Sequence, residues 1–502
     1  ILEDKYVEYD GIPKPEYMPT VINRVDNNVV SISEFAHICI ADGGTYIYAK
    51  SVAGCISVYD ENLETPAHKL NDGVDYVPMN KYKAFLIHFL NIAGLGPIFG
   101  AIQGALFGPS AFLWIVLGTI FAGAVHDFFS GFLSVRLDGL SLPGLISEYL
   151  GEPIRKLLAI LTIITLILLT ATFTTGSATL IYSLTNIPTL ALIIIIFAYL
   201  LIASLFPIDK VIGKIYPVFG VLFLLMSILM IGGLLLSNNY AIPEFTATNL
   251  YFSKYPIFPF LFITIACGAV SGFHSSQSPI IARCVDNEKD MRFVFYGAMV
   301  LEGITALIWA AVTMAFFHGQ PQIAALYGAN PAIGVKEMSF ALLGTLGLTL
   351  TIIGVVICPI TSADTALRSA RIIIGDELKI NQSKLISRLK ISIPIFIITL
   401  ALTFVDFALI WRYFAFVQII VASLVLWAAT VYLMRKKKHY IITILPAMFC
   451  SLVAIAYILQ APEGLHLSAL ISNIIAIIGT AIITVAFIKY YKKKNDIGSI
   501  TE

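Results

Sequence analysis

His126 and Asp127 stand side by side in an otherwise apolar run, and His274 lies in the stretch Ser271-Gly272-Phe273-His274-Ser275-Ser276-Gln277-Ser278-Pro279. Glu302 sits inside a third apolar run, and Asp364 falls in Thr361-Ser362-Ala363-Asp364-Thr365 at the end of a fourth. A charged side chain in hydrocarbon costs about 2.5–3.5 kcal/mol on insertion scales, so each of these groups is a candidate for function. Imidazoles and carboxylates exchange protons near neutral pH when burial and neighbouring charges tune them. Asp127, His274, Glu302 and Asp364 are therefore the expected proton-coupling residues. A satisfied interhelical hydrogen bond or ion pair is the alternative for each. No GxGD, HExxH or GxSxG pattern occurs, so no enzyme and no catalytic residue is expected. The six cysteines form no CxxC pair, and neither a metal site nor a cofactor is indicated.

Placing such groups inside apolar runs requires a particular kind of chain. Of its 502 residues 58% are hydrophobic and only 13% charged, and mean hydropathy is +0.86. Soluble domains are about 45–50% apolar and about 25% charged, so an ordinary soluble enzyme, a disordered protein and a nucleic-acid partner are excluded. The runs lack the alternation of a membrane β-barrel. The expected class is an all-α polytopic membrane protein with about twelve spans of about 20 residues. These cover residues 83–107, 110–135, 156–181, 188–207, 215–237, 256–283, 293–317, 339–362, 391–410, 412–434, 440–460 and 467–490. Residues 1–82 form a polar N-terminal segment, with strands conceivable over 29–40, and 491–502 a tail.

Loop charges support this arrangement. Lys and Arg gather after the second, fourth, sixth, eighth, tenth and twelfth spans, ending with Arg435-Lys436-Lys437-Lys438 and Lys492-Lys493-Lys494. The intervening loops carry at most one each (Lys254, Lys336, Arg412). Positive loops stay in the cytoplasm, so both termini are expected there.

Two spans are interrupted. The first contains Gly94-Leu95-Gly96-Pro97, and the sixth contains Gly268 and the polar stretch ending at Pro279. Proline removes a helix hydrogen bond and glycine eases unwinding, and unwound backbone at membrane depth must be buried or line a cavity. Spans one to five (83–237) and six to ten (256–434) would each begin with a broken helix and run in opposite orientations. That is a 5+5 inverted repeat, with two peripheral helices over 440–490. New half-helices starting at Pro97 and at Ser278-Pro279 would direct free amides at an anionic group such as a carboxylate. Gly94, Gly96, Pro97, Ser271, Gly272, His274, Gln277 and Ser278 are the expected substrate-binding residues. A kinked, close-packed structural helix with Gly96, Gly100 and Gly104 on one face is the alternative for the first break.

Long motifs then connect the chain to a known family. They include Thr65-Pro66-Ala67-His68-Lys69-Leu70-Asn71-Asp72-Gly73-Val74-Asp75-Tyr76-Val77-Pro78, Ala93-Gly94-Leu95-Gly96-Pro97 and Phe121-Ala122-Gly123-Ala124-Val125-His126-Asp127-Phe128. They continue with Ile265-Ala266-Cys267-Gly268-Ala269-Val270-Ser271-Gly272-Phe273-His274, Glu302-Gly303, Thr361-Ser362-Ala363-Asp364-Thr365-Ala366 and Trp411-Arg412-Tyr413-Phe414. Over residues 57–434 the chain resembles the carbon starvation protein A family. The resemblance implies an inner-membrane nutrient transporter related to the amino acid–polyamine–organocation superfamily. Such members take up peptides, or pyruvate with protons, when carbon is scarce.

Two departures stand out. The family usually has a further hydrophobic helix before the Thr65 motif, where residues 1–56 here are polar. It also tends to carry Asn-Gln where this chain has Val417-Gln418. The expected function is import of a small carboxylate, a short peptide or pyruvate. H⁺ is the expected coupling ion, with Na⁺ as the other candidate, the lipid bilayer as surroundings and the oligomeric state left open. A membrane sensor without net transport is the alternative.

Overall fold

A computed structural model describes residues 63–73, 75–205, 208–244, 255–317, 323, 331–382 and 384–498. The strand expected over 29–40, most of the N-terminal segment and the last residues of the tail lie outside the described residues.

The described chain is helical. After a short helix α1 (Pro66–Lys69) come α2 (Lys81–Ala93) and α3 (Gly96–Gly104). The helix α4 (Ser110–Arg136) follows, with a π-turn over Thr119–Gly123. Next are α5 (Leu142–Leu150), α6 (Glu152–Thr185), α7 (Thr189–Leu205) and α8 (Ile208–Leu236). The second half holds α9 (Ile257–Thr264), α10 (His274–Ala282), α11 (Glu288–Phe317) and α12 (Ala332–Glu377). The last four are α13 (Leu385–Leu402), α14 (Phe407–Arg435), α15 (Ile441–Gln460) and α16 (Ala469–Gly498).

Each apolar run coincides with a helix or a pair of helices. Among the described residues nine helices are long and apolar enough to cross a bilayer, and ten crossings result if α2 and α3 are joined. Two of the twelve expected spans fall outside this length criterion. The helix α7 is only 17 residues long, and the sixth run is split into helices of eight and nine residues. The core lies around α12, which packs on α6, α8 and α2, and around α14, which packs on α6 and α15. The apolar window of α14 is 83% buried and that of α16 only 17%, which makes α16 a peripheral, lipid-facing helix.

The first break falls where the glycines place it. Gly94 has φ +37°, and a Cβ there would lie 2.2 Å from the ring of Phe173. The helices α2 and α3 meet at a 44° bend. The second break differs from expectation. The unwound segment is residues 265–273, with Gly268 at φ +103°, and the new helix starts at His274 rather than at Ser278-Pro279. The polar residues are compatible with helix because their hydroxyls bond back to carbonyls three or four residues earlier. Ser275 donates to Gly272 O (2.6 Å), Ser276 to Phe273 O (2.7 Å) and Ser278 to His274 O (3.0 Å). Pro279 is tolerated inside this short helix, with one main-chain bond forgone.

The end bearing the basic loops is cross-tied. The Thr65 motif docks on the connection after α10: Thr65 Oγ1 donates to Val285 O (2.7 Å) and His68 Nε2 pairs with Asp286 (2.8 Å). Its Lys69 reaches Asp138 after α4 (2.7 Å), Arg136 pairs with the buried Glu288, and Arg283 donates to Gly139 O (2.9 Å). These ties fix the end of α4 against the end of α10, the two helices that carry Asp127 and His274.

Gly272 tests how tightly the second break is seated. A Cβ there would lie 2.2 Å from Gln418 O, whereas one at Gly232 would meet nothing within 4 Å. Overpacking of this kind costs about 1–3 kcal/mol. Gly272→Ala should lower the melting temperature in detergent, and Gly232→Ala should leave it unchanged or raise it.

Candidate functional site

Backbone groups freed at the breaks find partners on neighbouring helices, as they must in a membrane interior. At the first break Leu90 O accepts from Ser362 Oγ (3.2 Å) and Cys358 Sγ (3.6 Å), both on α12. At the second break Ile265 O accepts from Trp114 Nε1 (3.3 Å) and Gly268 O from Thr119 Oγ1 (3.1 Å), both on α4. Gly272 N donates to Gln418 O on α14 (3.1 Å). The two breaks also touch each other, since a Cβ on Gly96 would lie 2.3 Å from Cys267 Cβ and one on Gly268 would lie 3.3 Å from Pro97 Cα. The π-turn of α4 seats against the second break at Gly123, where a Cβ would lie 2.2 Å from Ala269 O.

Beside these breaks a chain of ionisable groups is fully buried. Asp127 Oδ1 lies 2.8 Å from His126 Nδ1, and Asp127 Oδ2 lies 2.9 Å from His274 Nδ1. His274 Nε2 faces Glu302 Oε2 at 3.3 Å, within ion-pair distance but without the alignment of a hydrogen bond. All four side chains have zero exposure. An ionised carboxylate only accepts, so an ionised Asp127 requires a proton on Nδ1 of both rings. The free chemistry then lies between His274 Nε2 and Glu302, two basic sites facing one another. A single proton has two homes there, on the imidazole or on the carboxylate.

The helices α4 and α10 are zipped one turn further along. Ser130 Oγ donates to Ser278 Oγ at 2.8 Å, one turn from the Asp127–His274 contact. Gln277 Nε2 donates to Ser276 Oγ (2.9 Å), while its buried Oε1 has no hydrogen-bond partner among the described residues. Ser271 is engaged with α14: its hydroxyl donates to Gln418 Oε1 at 2.6 Å, and Cys267 Sγ donates to the same oxygen at 3.2 Å.

The structure therefore brings Asp127, His274 and Glu302 together, sets Gly96 and Pro97 against the second break, and packs Gly94 on Phe173 of α6. It does not bring Asp364 to this group. Asp364 lies on α12 and accepts from Tyr216 Oη (3.1 Å) on α8, near Arg368. Asp406 caps α14 by accepting from Leu409 N (2.9 Å), and Arg412 pairs with Glu463 (3.0 Å), both structural contacts. Sequence reasoning passed over His88 and Asn91, which are buried on α2 just before the first break. Two polar residues three apart in an apolar span, one turn from a Gly-Pro break, were the available signal. It also passed over the bridging role of Gln418, for which no local pattern exists. Among the described residues no group of three or more His, Cys, Asp or Glu is arranged to hold a metal ion.

An all-helical bundle with two facing broken helices and ionisable groups beside them is a polytopic membrane protein of transporter fold. It resembles the solved manganese transporter of Eremococcus coleocola with a TM-score of 0.55 at 16% identity, over 84% of this chain and 99% of that one. The profile of the carbon starvation protein CstA family matches residues 30–189 and 175–336, and the chain belongs to that family. An uncharacterized membrane protein of Haemophilus influenzae is 42% identical over 328 residues, 55% of this chain and 88% of that protein. The peptide transporter CstA of Helicobacter pylori is 31% identical over 354 residues, 56% of this chain and 50% of that protein. The pyruvate/proton symporter BtsT of Escherichia coli is 32% identical over 328 residues, 52% of this chain and 46% of that protein. The chain thus spans about half the length of these two transporter relatives.

The Gln418 bridge is open to a double-mutant cycle. Gln418→Leu leaves the buried Ser271 hydroxyl and Cys267 thiol without their acceptor, at a cost of about 1–3 kcal/mol. Added to Ser271→Ala, the same change should lower the melting temperature by clearly less than the two single effects combined.

Proposed function

We propose that this chain is a secondary-active importer of small carboxylate nutrients, pyruvate or short peptides, driven by protons across an inner membrane. Both termini would be cytoplasmic, and the two five-helix sets would move against each other about the broken helices. The observation that carries the reading is the buried chain His126–Asp127–His274–Glu302 beside the two breaks. In it His274 and Gln277 face the substrate, Gly94, Gly96 and Pro97 shape the first break through close packing, Ser271 and Gly272 tie the second break to α14, and Ser278 ties α10 to α4. Asp364 would act apart from them, through its contact with Tyr216.

Charge balance links the cargo to the proton. Asp127 takes its hydrogen bonds from Nδ1 of His126 and of His274, and one proton is shared between His274 Nε2 and Glu302. A substrate carboxylate adds one negative charge in a site that water does not screen, which favours uptake of one further proton, with Glu302 as its acceptor. By linkage, a bound proton raises carboxylate affinity by the factor with which the carboxylate raises proton affinity. Release of either to the cytoplasm then weakens the other, as symport requires. The names of the peptide-transporter and pyruvate-symporter relatives agree with this chemistry.

Proteoliposomes test the proposal. Labelled pyruvate and labelled dialanine are offered under an inward proton gradient in Na⁺-free buffer, and one of them should accumulate. Saturable binding without accumulation, or accumulation only with Na⁺, would overturn proton-driven import. His274→Ala and Asp127→Asn should reduce accumulation to the level of empty liposomes. Glu302→Gln cannot take up a proton, so it should keep exchange of labelled for unlabelled substrate and lose gradient-driven accumulation.

A further inference from the structure

Two buried polar side chains on α2, the helix that ends at the first break, make no hydrogen bond among the described residues. His88 and Asn91 lie three residues apart on α2, so they share one face of the helix in its last turns before the break at Gly94. Both are fully buried. Neither nitrogen of His88, and neither polar atom of the Asn91 amide, has a hydrogen-bond partner among the described residues. An unsatisfied buried polar group is costly, and here four such atoms are grouped on one helical face. The His88 ring is held in place, edge-to-face on Phe295 with centroids 5.0 Å apart. It lies within electrostatic reach of both Asp127 and His274. In the chain of ionisable groups and on α10, His274 Nε2, both Glu302 oxygens and Gln277 Oε1 also lack hydrogen-bond partners among the described residues.

Resting on the transport reading above, we propose that His88 and Asn91 bind the carboxylate of the transported molecule. Asn91 supplies up to two N–H donors and the imidazole of His88 at least one, a donor set that fits the two oxygens of a carboxylate. The ordered ring of His88 makes the cradle preorganised. The carboxylate would be held between α2 and the His274–Glu302 pair, close enough for its charge to bias the shared proton. The helix α2 thereby gains a role in specificity that the glycines of the break do not supply. Pyruvate and the C-terminus of a short peptide present the same group, and amide analogues of each separate the carboxylate from the rest of the molecule.

The test is equilibrium binding in detergent, which does not depend on transport. Labelled pyruvate and dialanine are titrated against the full chain, each with its carboxamide analogue (pyruvamide, alanyl-alaninamide) as competitor. The wild type should prefer at least one acid over its amide by tenfold or more, the scale of a lost hydrogen bond to a charged partner. Asn91→Asp keeps the size of the side chain but sets a negative charge against the ligand, and His88→Phe keeps a ring without a donor. Each variant, provided its elution profile and melting temperature match the wild type, should lose that preference and bind acid and amide within about threefold. A folded variant that retains the tenfold preference overturns the proposal, as does a wild type that binds neither acid. If the wild type binds an acid through these residues yet accumulates nothing in liposomes, the transport reading falls and this assignment stands.

Discussion

A membrane interior offers no hydrogen-bond partner to a broken helix, and much of the packing near the centre of this protein follows from that constraint. Two helices are interrupted, and the carbonyls and amides they release are taken up by particular groups on α4, α12 and α14. Trp114 and Thr119 on α4 serve the second break, and Ser362 and Cys358 on α12 serve the first. Each such contact requires close approach, and so glycine stands at Gly96, Gly123 and Gly272, where a Cβ would run into a neighbour. The π-turn in α4 fits the same pattern, because it lies where that helix meets the unwound segment.

Once α4 is fixed against the second break, Asp127 is brought to His274, and the rest of the charged chain follows. Neighbouring ties at the basic end, from the Thr65 motif and from Arg136 to Glu288, hold α4 and α10 in the same relation. The buried charges are thus a consequence of how the breaks are satisfied. An arrangement of this kind is poor as pure stabilisation, since a buried ion pair gains little over apolar packing. In the proposed function, a proton moving between His274 and Glu302 would give such a group a use that packing does not. The unpartnered polar atoms of His88, Asn91 and Gln277 lie on the ligand-binding side of the same proposal.

Local chemistry along the chain was enough to read the class, the helices, both interruptions and the family. Run length identified the helices, Gly94 and Pro97 marked the first break, and Gly268 the second. The sixth span shows where local reading fails. Its serines and Pro279 suggested an unwound stretch up to residue 279, but the hydroxyls bond to their own helix and the new turn begins at His274. Polar composition alone does not distinguish a serine facing a substrate from one bonded to the preceding turn. Run length also does not show how long each helix is, since one apolar run forms a 17-residue helix and another a split pair of eight and nine residues.

What the sequence determined by itself was a membrane-embedded helical bundle with interrupted first and sixth spans and scarce, exposed-to-scrutiny ionisable residues. Each of those depends on residue types within one or two helical turns. Only the tertiary structure decided which of those residues meet. Asp127 and His274 are 147 positions apart, and Ser271 and Gln418 equally so. The separation of Asp364 from the His274 group and the orphaned face of His88 and Asn91 are also products of packing. Such pairings arise from how helices cross and rotate about one another, and no spacing within a single helix records that angle.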